Sequence, residues 1–201
     1  MIFVSYLLLS CGNNQNSSSN KDEKKNQNNE TIEQADKPNN KEVKIGDQTW
    51  TTSNLDVALF QNGDTIPLAK NDDDWKSACD QKKPMSAYYD YDESNGAKYG
   101  RLYNWYAVKD KRKITPNGWH VSTRAEWEQM RNYLGGDSIA GKKLKTKTGW
   151  EKSGNGTNES GFFAIPAGTF HFLGGGQGVL RIGQWWTSSE MDDDQAYAPC
   201  I

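Results

Sequence analysis

All eight tryptophans lie beyond residue 42, and the segment 12–42 contains no Trp, Tyr or Phe. Large aromatic side chains supply much of the apolar area that a small core can bury. The boundary therefore divides chain that can build a core from chain that cannot. Residues 12–42 are mostly Asn, Ser, Gln, Lys and acidic residues, and such a composition cannot offset its ordering entropy by burial. They read as a disordered polar linker. Residues 43–201 read as one domain, long enough for a sizeable core and too short for two full domains. Charge is balanced, with 24 Lys+Arg against 26 Asp+Glu and no basic block, which argues against nucleic acid as a partner. No apolar run approaches the roughly 20 residues of a membrane span.

The first ten residues are a different material again. Ile2 to Leu9 has the length of a signal-peptide h-region, and Leu8-Leu9-Ser10-Cys11 resembles a bacterial lipobox. The n-region departs from that pattern in having no Lys or Arg. The resemblance implies that residues 1–10 are a lipoprotein signal peptide and that Cys11 becomes an acylated N-terminus. Each buried methylene contributes about 0.8 kcal/mol, so more than one chain gives stable anchoring. The expected partner is then a membrane, reached through the lipid. Residues 11–42 form a tether that lets the domain float on the order of 30 Å away.

From Val43 onward, short apolar runs alternate with turn residues. Val43 to Trp50 reads as a hairpin around Gly46-Asp47, and Ser86 to Tyr91 as a strand. The segment Tyr103 to Val108 fits helix or strand. Thr123-Arg124-Ala125-Glu126 is a capping box, followed by Trp127, Met130 and Leu134 on one stripe and by Gly135-Gly136 as a C-cap. A second helix is expected over 138–145, with Ile139 and Leu144 inward. Phe162 to Ile165 and Gln184 to Ser188 read as strands, and Gly174-Gly175-Gly176 as a tight loop needing positive φ or close backbone approach. The sum is an α+β domain with a loop-rich half.

Several of these stretches resemble the Fibrobacter succinogenes major paralogous domain. The residues that carry the likeness are Gly100 to Val108, Pro116 to Val121, Ser122 to Trp127, Leu134-Gly135-Gly136, Ala140 to Lys145, Asn158 to Phe162 and Trp185 to Glu190, with Trp50 and Asn54-Leu55 as the opening motif. Ser122 stands where the family usually has Pro, but Thr123 still supplies the helix cap. The Thr-x-x-Glu-Trp helix start is also similar to the formylglycine-generating-enzyme branch of the C-type-lectin-like fold. That likeness implies two main helices, short antiparallel sheets and a long irregular loop region. The family is secreted or lipid-anchored, which places this chain in the bacterial cell envelope, with outer membrane or cell surface as the expected location. Family members usually continue past the aromatic Ser-Ser strand, whereas this chain stops at Ala198-Pro199-Cys200-Ile201. The expectation is a domain lacking its C-terminal strands, with the 43–50 hairpin left with an open edge.

Catalytic constellations are hard to assemble from these residues. His120 reads as a structural, hydrogen-bonded histidine, and neither Ser188 nor Ser189 sits in a nucleophile elbow. The paired-cysteine metal site of the lectin-fold enzymes is not matched by Cys79 and Cys200, so that activity is not carried over. A disulfide between those two cysteines is an open alternative. No zinc spacing occurs, and Asp72-Asp73-Asp74 and Asp192-Asp193-Asp194 read as solvated loops in preference to calcium ligands. No metal and no cofactor is expected. Trp105, Trp119, Trp127 and one of Trp185 or Trp186 should be buried, with strand alternation turning the other outward. The candidate binding residues are Trp150, Asn155 and Asn158, a tryptophan stacking platform in a loop with two amides. The resulting expectation is non-catalytic binding of a glycan or a surface protein. An extracellular enzyme on the same fold and a self-association module are the alternatives.

Overall fold

The computed structural model describes residues 41–201. The expected signal peptide, Cys11 and nearly all of the expected linker lie outside the described residues. The domain is α+β, built from short elements around two aromatic core clusters. Strands β1 (Glu42–Ile45) and β2 (Gln48–Thr51) form the expected hairpin, with Ile45 opposite Gln48 and Gly46 at φ 61 in the turn. They make a two-stranded sheet with no third strand among the described residues.

Helix α1 (Asp72–Asp80) was not legible as a helix, because its first turn reads as an acidic loop. The Asn71 side chain caps it by accepting from the Asp74 amide at 2.8 Å, and three aspartates favour the positive end of the helix dipole. Trp75 and Ala78, three apart, point into the first core cluster and its surroundings, with Trp75 fully buried. The strand expected over 86–91 is only β3 (Ser86–Ala87); Asp90 and Tyr91 at φ 54 and 58 end it in a 3-10 turn. Helix α2 (Gly96–Tyr99) leads to β4 (Leu102–Tyr103), which pairs antiparallel with β3. The ambiguous stretch after Tyr103 is helical, as α3 (Trp105–Val108). Buried Asn104 caps it: its carbonyl oxygen accepts from Ala107 and Met85, and its amide donates to Lys83.

Helix α4 (Arg124–Tyr133) begins at the predicted capping box, with both reciprocal bonds formed. It ends in a Schellman arrangement, in which Gly136 donates to Arg131 O at 2.9 Å and Gly135 to Asn132 O at 3.1 Å. Trp127, Met130 and Leu134 are all buried. Helix α5 (Asp137–Leu144) buries Ala140 and Leu144, four apart, while Ile139 is 46% exposed against the expectation. Ile139 lies instead over the Gly135 turn.

Beyond α5 the chain is irregular. Phe162 to Ile165 is not a regular strand, because Phe163 at φ 60 breaks the extension; a single parallel bridge joins Ala164 to Lys145. Strands β5 (Thr169–Phe170) and β6 (Gly176–Gln177) flank the glycine loop, where Gly174 and Gly175 have φ 99 and 85. A Cβ on Gly176 would approach the Tyr89 ring to 2.6 Å, so the close backbone approach expected there is real. Strands β7 (Glu190–Asp192) and β8 (Gln195–Ala196) complete the order. Residues 183–189 form an irregular ribbon with 197–201, through Trp185 to Pro199 O, Thr187 to Tyr197 O and reciprocal Gly183–Ile201 bonds. The chain's last residues are thus paired with this ribbon and not with β1. Alternation along it explains one correction: Trp185 and Trp186 are both 2% exposed. One enters each core cluster, so both faces of the ribbon are covered at this pair. Trp119 is half-buried and packs against both clusters.

Candidate functional site

A cleft of about 760 Å³ opens where four segments meet: the chain leaving β2, helix α2, the loop after α5, and residues 163–166 with Leu180. Its volume falls within the roughly 300–1,000 Å³ of ordinary ligand sites. Asn54 fastens two of these segments. Its amide donates to Tyr99 O at 2.8 Å, and its oxygen accepts from Trp185 Nε1 at 3.3 Å. Gly100, at φ 73, brings backbone against backbone beside it: a Cβ there would sit 3.0 Å from Leu55 O.

Two apolar residues of the lining are held in unusual backbone conformations. Phe163 and Leu180 have φ 60 and 67, a region that costs a non-glycine residue about 1–2 kcal/mol. Phe163 N donates to Asn158 Oδ1 at 3.0 Å, while its neighbours Phe162 and Ala164 are buried in the second core cluster. Leu180 donates to Pro166 O at 3.0 Å and accepts from Glu151 N at 2.7 Å. An Arg181–Glu151 ion pair at 3.0 Å braces the same turn. Both side chains are left half-buried at the cleft.

The lining carries one carboxylate and one ammonium, Asp56 and Lys98. Asp56 accepts from Arg101 Nε at 3.0 Å, and the Lys98 ammonium lies 4.9 Å from the centre of the Tyr99 ring. Ser53 is exposed at the rim.

The three predicted site residues stand behind this lining, not in it. Trp150 is only 6% exposed, so the open stacking face expected of it is not there. Its Nε1 donates to Thr146 Oγ1 at 3.0 Å, and the Lys145 ammonium sits 4.3 Å from its ring centre. Burial lowers the Lys145 pKa below the usual lysine value. Asn155 Oδ1 accepts from Trp150 N at 2.9 Å, and Asn158 supports Phe163. Thr146 and Phe163 both line the cleft, so the three predicted residues lie one layer behind its wall. Phe163 and Leu180 were missed, since nothing in a sequence marks a Phe or Leu for the left-handed region.

Other candidates resolve into structural roles. His120 is exposed, and its Nε2 lies 2.9 Å from Glu126 Oε1. Glu126 is the capping-box carboxylate and also accepts from the Thr123 amide at 2.7 Å. Partial burial works against its charged form, but the Thr123 amide, His120 and the Thr123 hydroxyl together hold its pKa below the usual glutamate value. Ser189 Oγ accepts from Arg124 N. No disulfide joins Cys79 to Cys200, and burial pushes the Cys79 thiol up to about 11. The two aspartate runs are exposed, as expected, though the first opens a helix in place of a loop. Asp72–Asp74 open α1, and Asp194 pairs with Lys82 at 2.8 Å and accepts from Tyr106 OH at 3.0 Å. No helix among the described residues is long and apolar enough to cross a membrane.

A family model described as the Fibrobacter succinogenes major domain matches residues 43–200. No curated protein and no solved structure matches the chain.

Proposed function

Because the chain belongs to the Fibrobacter succinogenes major domain family, we propose that it is a lipid-anchored envelope protein whose C-type-lectin-like domain binds a ligand without transforming it. The observation that carries this reading is the cleft, two of whose apolar lining residues, Phe163 and Leu180, are held half-buried in the left-handed region. Strain of this kind concentrates at ligand sites. The case against catalysis draws on geometry: His120 pairs with the capping-box Glu126, Ser189 Oγ accepts from Arg124 N, and Asp56 pairs with Arg101. The lectin-like assignment draws on the Thr-x-x-Glu-Trp start of α4 and on two main helices followed by a long irregular segment. It is a likeness of fold, which does not by itself carry function.

The anchor rests on Leu8-Leu9-Ser10-Cys11. Cys11→Ala is expected to move the chain from the membrane to the soluble fraction and to abolish incorporation of labelled fatty acid. Retention of both would remove the anchor from this reading. Binding is tested with Ser53→Trp, which fills the cleft from its exposed rim. Full-length chain should be retained on at least one of immobilised peptidoglycan, xylan, cellulose, mannan or outer-membrane protein. The plugged variant should be lost from it, with no reducing ends or new amines released by either. Equal retention of the two chains would show that the cleft is not the site.

A further inference from the structure

We infer that the cleft takes a singly charged anion with an apolar body, an aliphatic or aryl monocarboxylate, whose body lies against Phe163, Ile165 and Leu180 and whose carboxylate meets the Lys98 ammonium. This rests on the cleft being the binding site and deepens that reading by naming the class of ligand.

The lining is more apolar than polar. Its apolar residues come from two places: Ala97 and Tyr99 from α2, and Phe163, Ile165, Pro166 and Leu180 from the irregular wall. A site of this composition holds its ligand by apolar area and orients it through a few polar groups. Many of the hydrogen-bonding groups here are already engaged. Asn54 is bonded at both ends of its amide, to Tyr99 O and from Trp185 Nε1, and Thr146 Oγ1 donates to Thr148 O. Leu180 is bonded through both its N–H and its C=O, and the Phe163 N–H goes to Asn158. A ligand read mainly through hydrogen bonds would have to displace these contacts.

Charge supplies the orienting group instead, because the two charged residues of the lining are not equivalent. Asp56 accepts from Arg101 Nε at 3.0 Å, so its charge is offset within the protein. Lys98 is exposed and makes no ion pair among the described residues; its ammonium lies 4.9 Å from the centre of the Tyr99 ring. The cleft therefore presents one unbalanced positive charge beside apolar surface. A cationic ligand would be repelled by Lys98 and would compete with Arg101 for Asp56. An anion answers Lys98 directly, and the attraction is stronger beside low-dielectric walls than in open water. A second negative charge on the ligand would find no second free cation in the lining, so one carboxylate on an apolar body is the match.

The test is an amide-resolved NMR titration of the full-length chain. The probes are octanoate and phenylpropanoate, each beside its own primary amide, with octylammonium and butanoate as controls. The expected result is saturable shifts at Ala97, Gly149, Phe163 and Leu180, with at least one acid binding about threefold or more tighter than its amide at low salt and octylammonium binding weaker than both. Each methylene lost between octanoate and butanoate should weaken binding about two- to fourfold. Lys98→Gln should remove the preference for acid over amide, Lys98→Arg should restore it, and high salt should shrink it, while chemical shifts in α4 stay in place to show that the fold is intact. Amides that bind as tightly as their acids, a preference that survives Lys98→Gln, or butanoate as tight as octanoate would each overturn the monocarboxylate inference and leave the cleft as a binding site. Silence of the cleft toward every probe also overturns it. If Ser53→Trp then leaves retention on envelope material unchanged, the binding reading falls with it.

Discussion

Helices α4 and α5 and the irregular wall of residues 145–183 pack on the same aromatic cluster, yet they are held by opposite means. The helical corner satisfies its backbone generically, with repeating helical bonds closed by a capping box at Thr123 and a Schellman turn at Gly135-Gly136. The wall satisfies its backbone one group at a time. Asn155 receives Trp150 N, Asn158 receives Phe163 N, and Ser160 Oγ donates to Lys143 O. Lys152, Ser153, Asn158, Phe163 and Leu180 in that wall all have positive φ. Regular bonding leaves side chains free to be chosen for packing. Individual bonding fixes each residue's direction, including directions that point apolar groups at a cleft.

The sharpest test of the shared cluster is Trp127→Ala. Trp127 is 2% exposed, with ring centres 5.2 Å from Trp50, 5.7 Å from Phe162 and 5.6 Å from Trp185, so it touches hairpin, wall and ribbon at once. Its Nε1 also donates to buried Ser122 Oγ at 2.9 Å. Truncation to alanine is expected to cost about 3–5 kcal/mol, read as a lower urea midpoint with an unchanged slope. Corner and wall should still unfold in one transition. A wall that melts separately in the variant would mean that the two regions do not share their stability.

The contrast also explains what a reader of the sequence could see. The 43–50 hairpin, the α4 cap and stripe, and the Gly135-Gly136 stop were legible because spacing alone encodes them. Helix α1 was hidden by its own first turn, where three aspartates look like a solvated loop until Asn71 and the Trp75/Ala78 spacing are weighed with them. Trp185 and Trp186 were misjudged because alternation predicts one face out only when solvent lies on that side, and here a second core does. At the cleft, Asn158, which braces Phe163, was singled out, but Phe163 and Leu180 were not. Backbone strain is a property of the closed fold and leaves no mark on composition.

The cap itself gives an intermediate effect, and one that depends on pH. Thr123→Ala removes the hydroxyl that receives Glu126 N and should cost about 1 kcal/mol. Folding holds the Glu126 carboxyl below its ordinary value. Its contribution is therefore complete above the unfolded value of about 4.3 and is lost as pH falls through the lower folded value. Glu126→Gln keeps a capping-box side chain but cannot titrate, so its stability should decline less than that of the native chain over this acid limb. Parallel curves for the two proteins from neutral pH into acid would show that Glu126 is not the group responsible.

The smallest effect is the one that separates the two regions most cleanly. At exposed Gln129, in the middle of α4, glycine should be worse than alanine by about 1 kcal/mol, because it loses more backbone freedom on entering a helix. At Phe163 the order should invert. Both substitutions remove the half-buried ring, at a cost of about 1 kcal/mol each, roughly half of full burial. Alanine keeps the left-handed strain, whereas glycine adopts φ 60 freely and recovers about 1–2 kcal/mol, less about 0.5–1 kcal/mol for its floppier unfolded chain. Phe163→Gly should thus melt within about 1 kcal/mol of the native protein and above Phe163→Ala. If alanine proves the more stable at 163 as it is at 129, Phe163 carries no strain, and the argument that the cleft holds its apolar surface at a cost loses its basis.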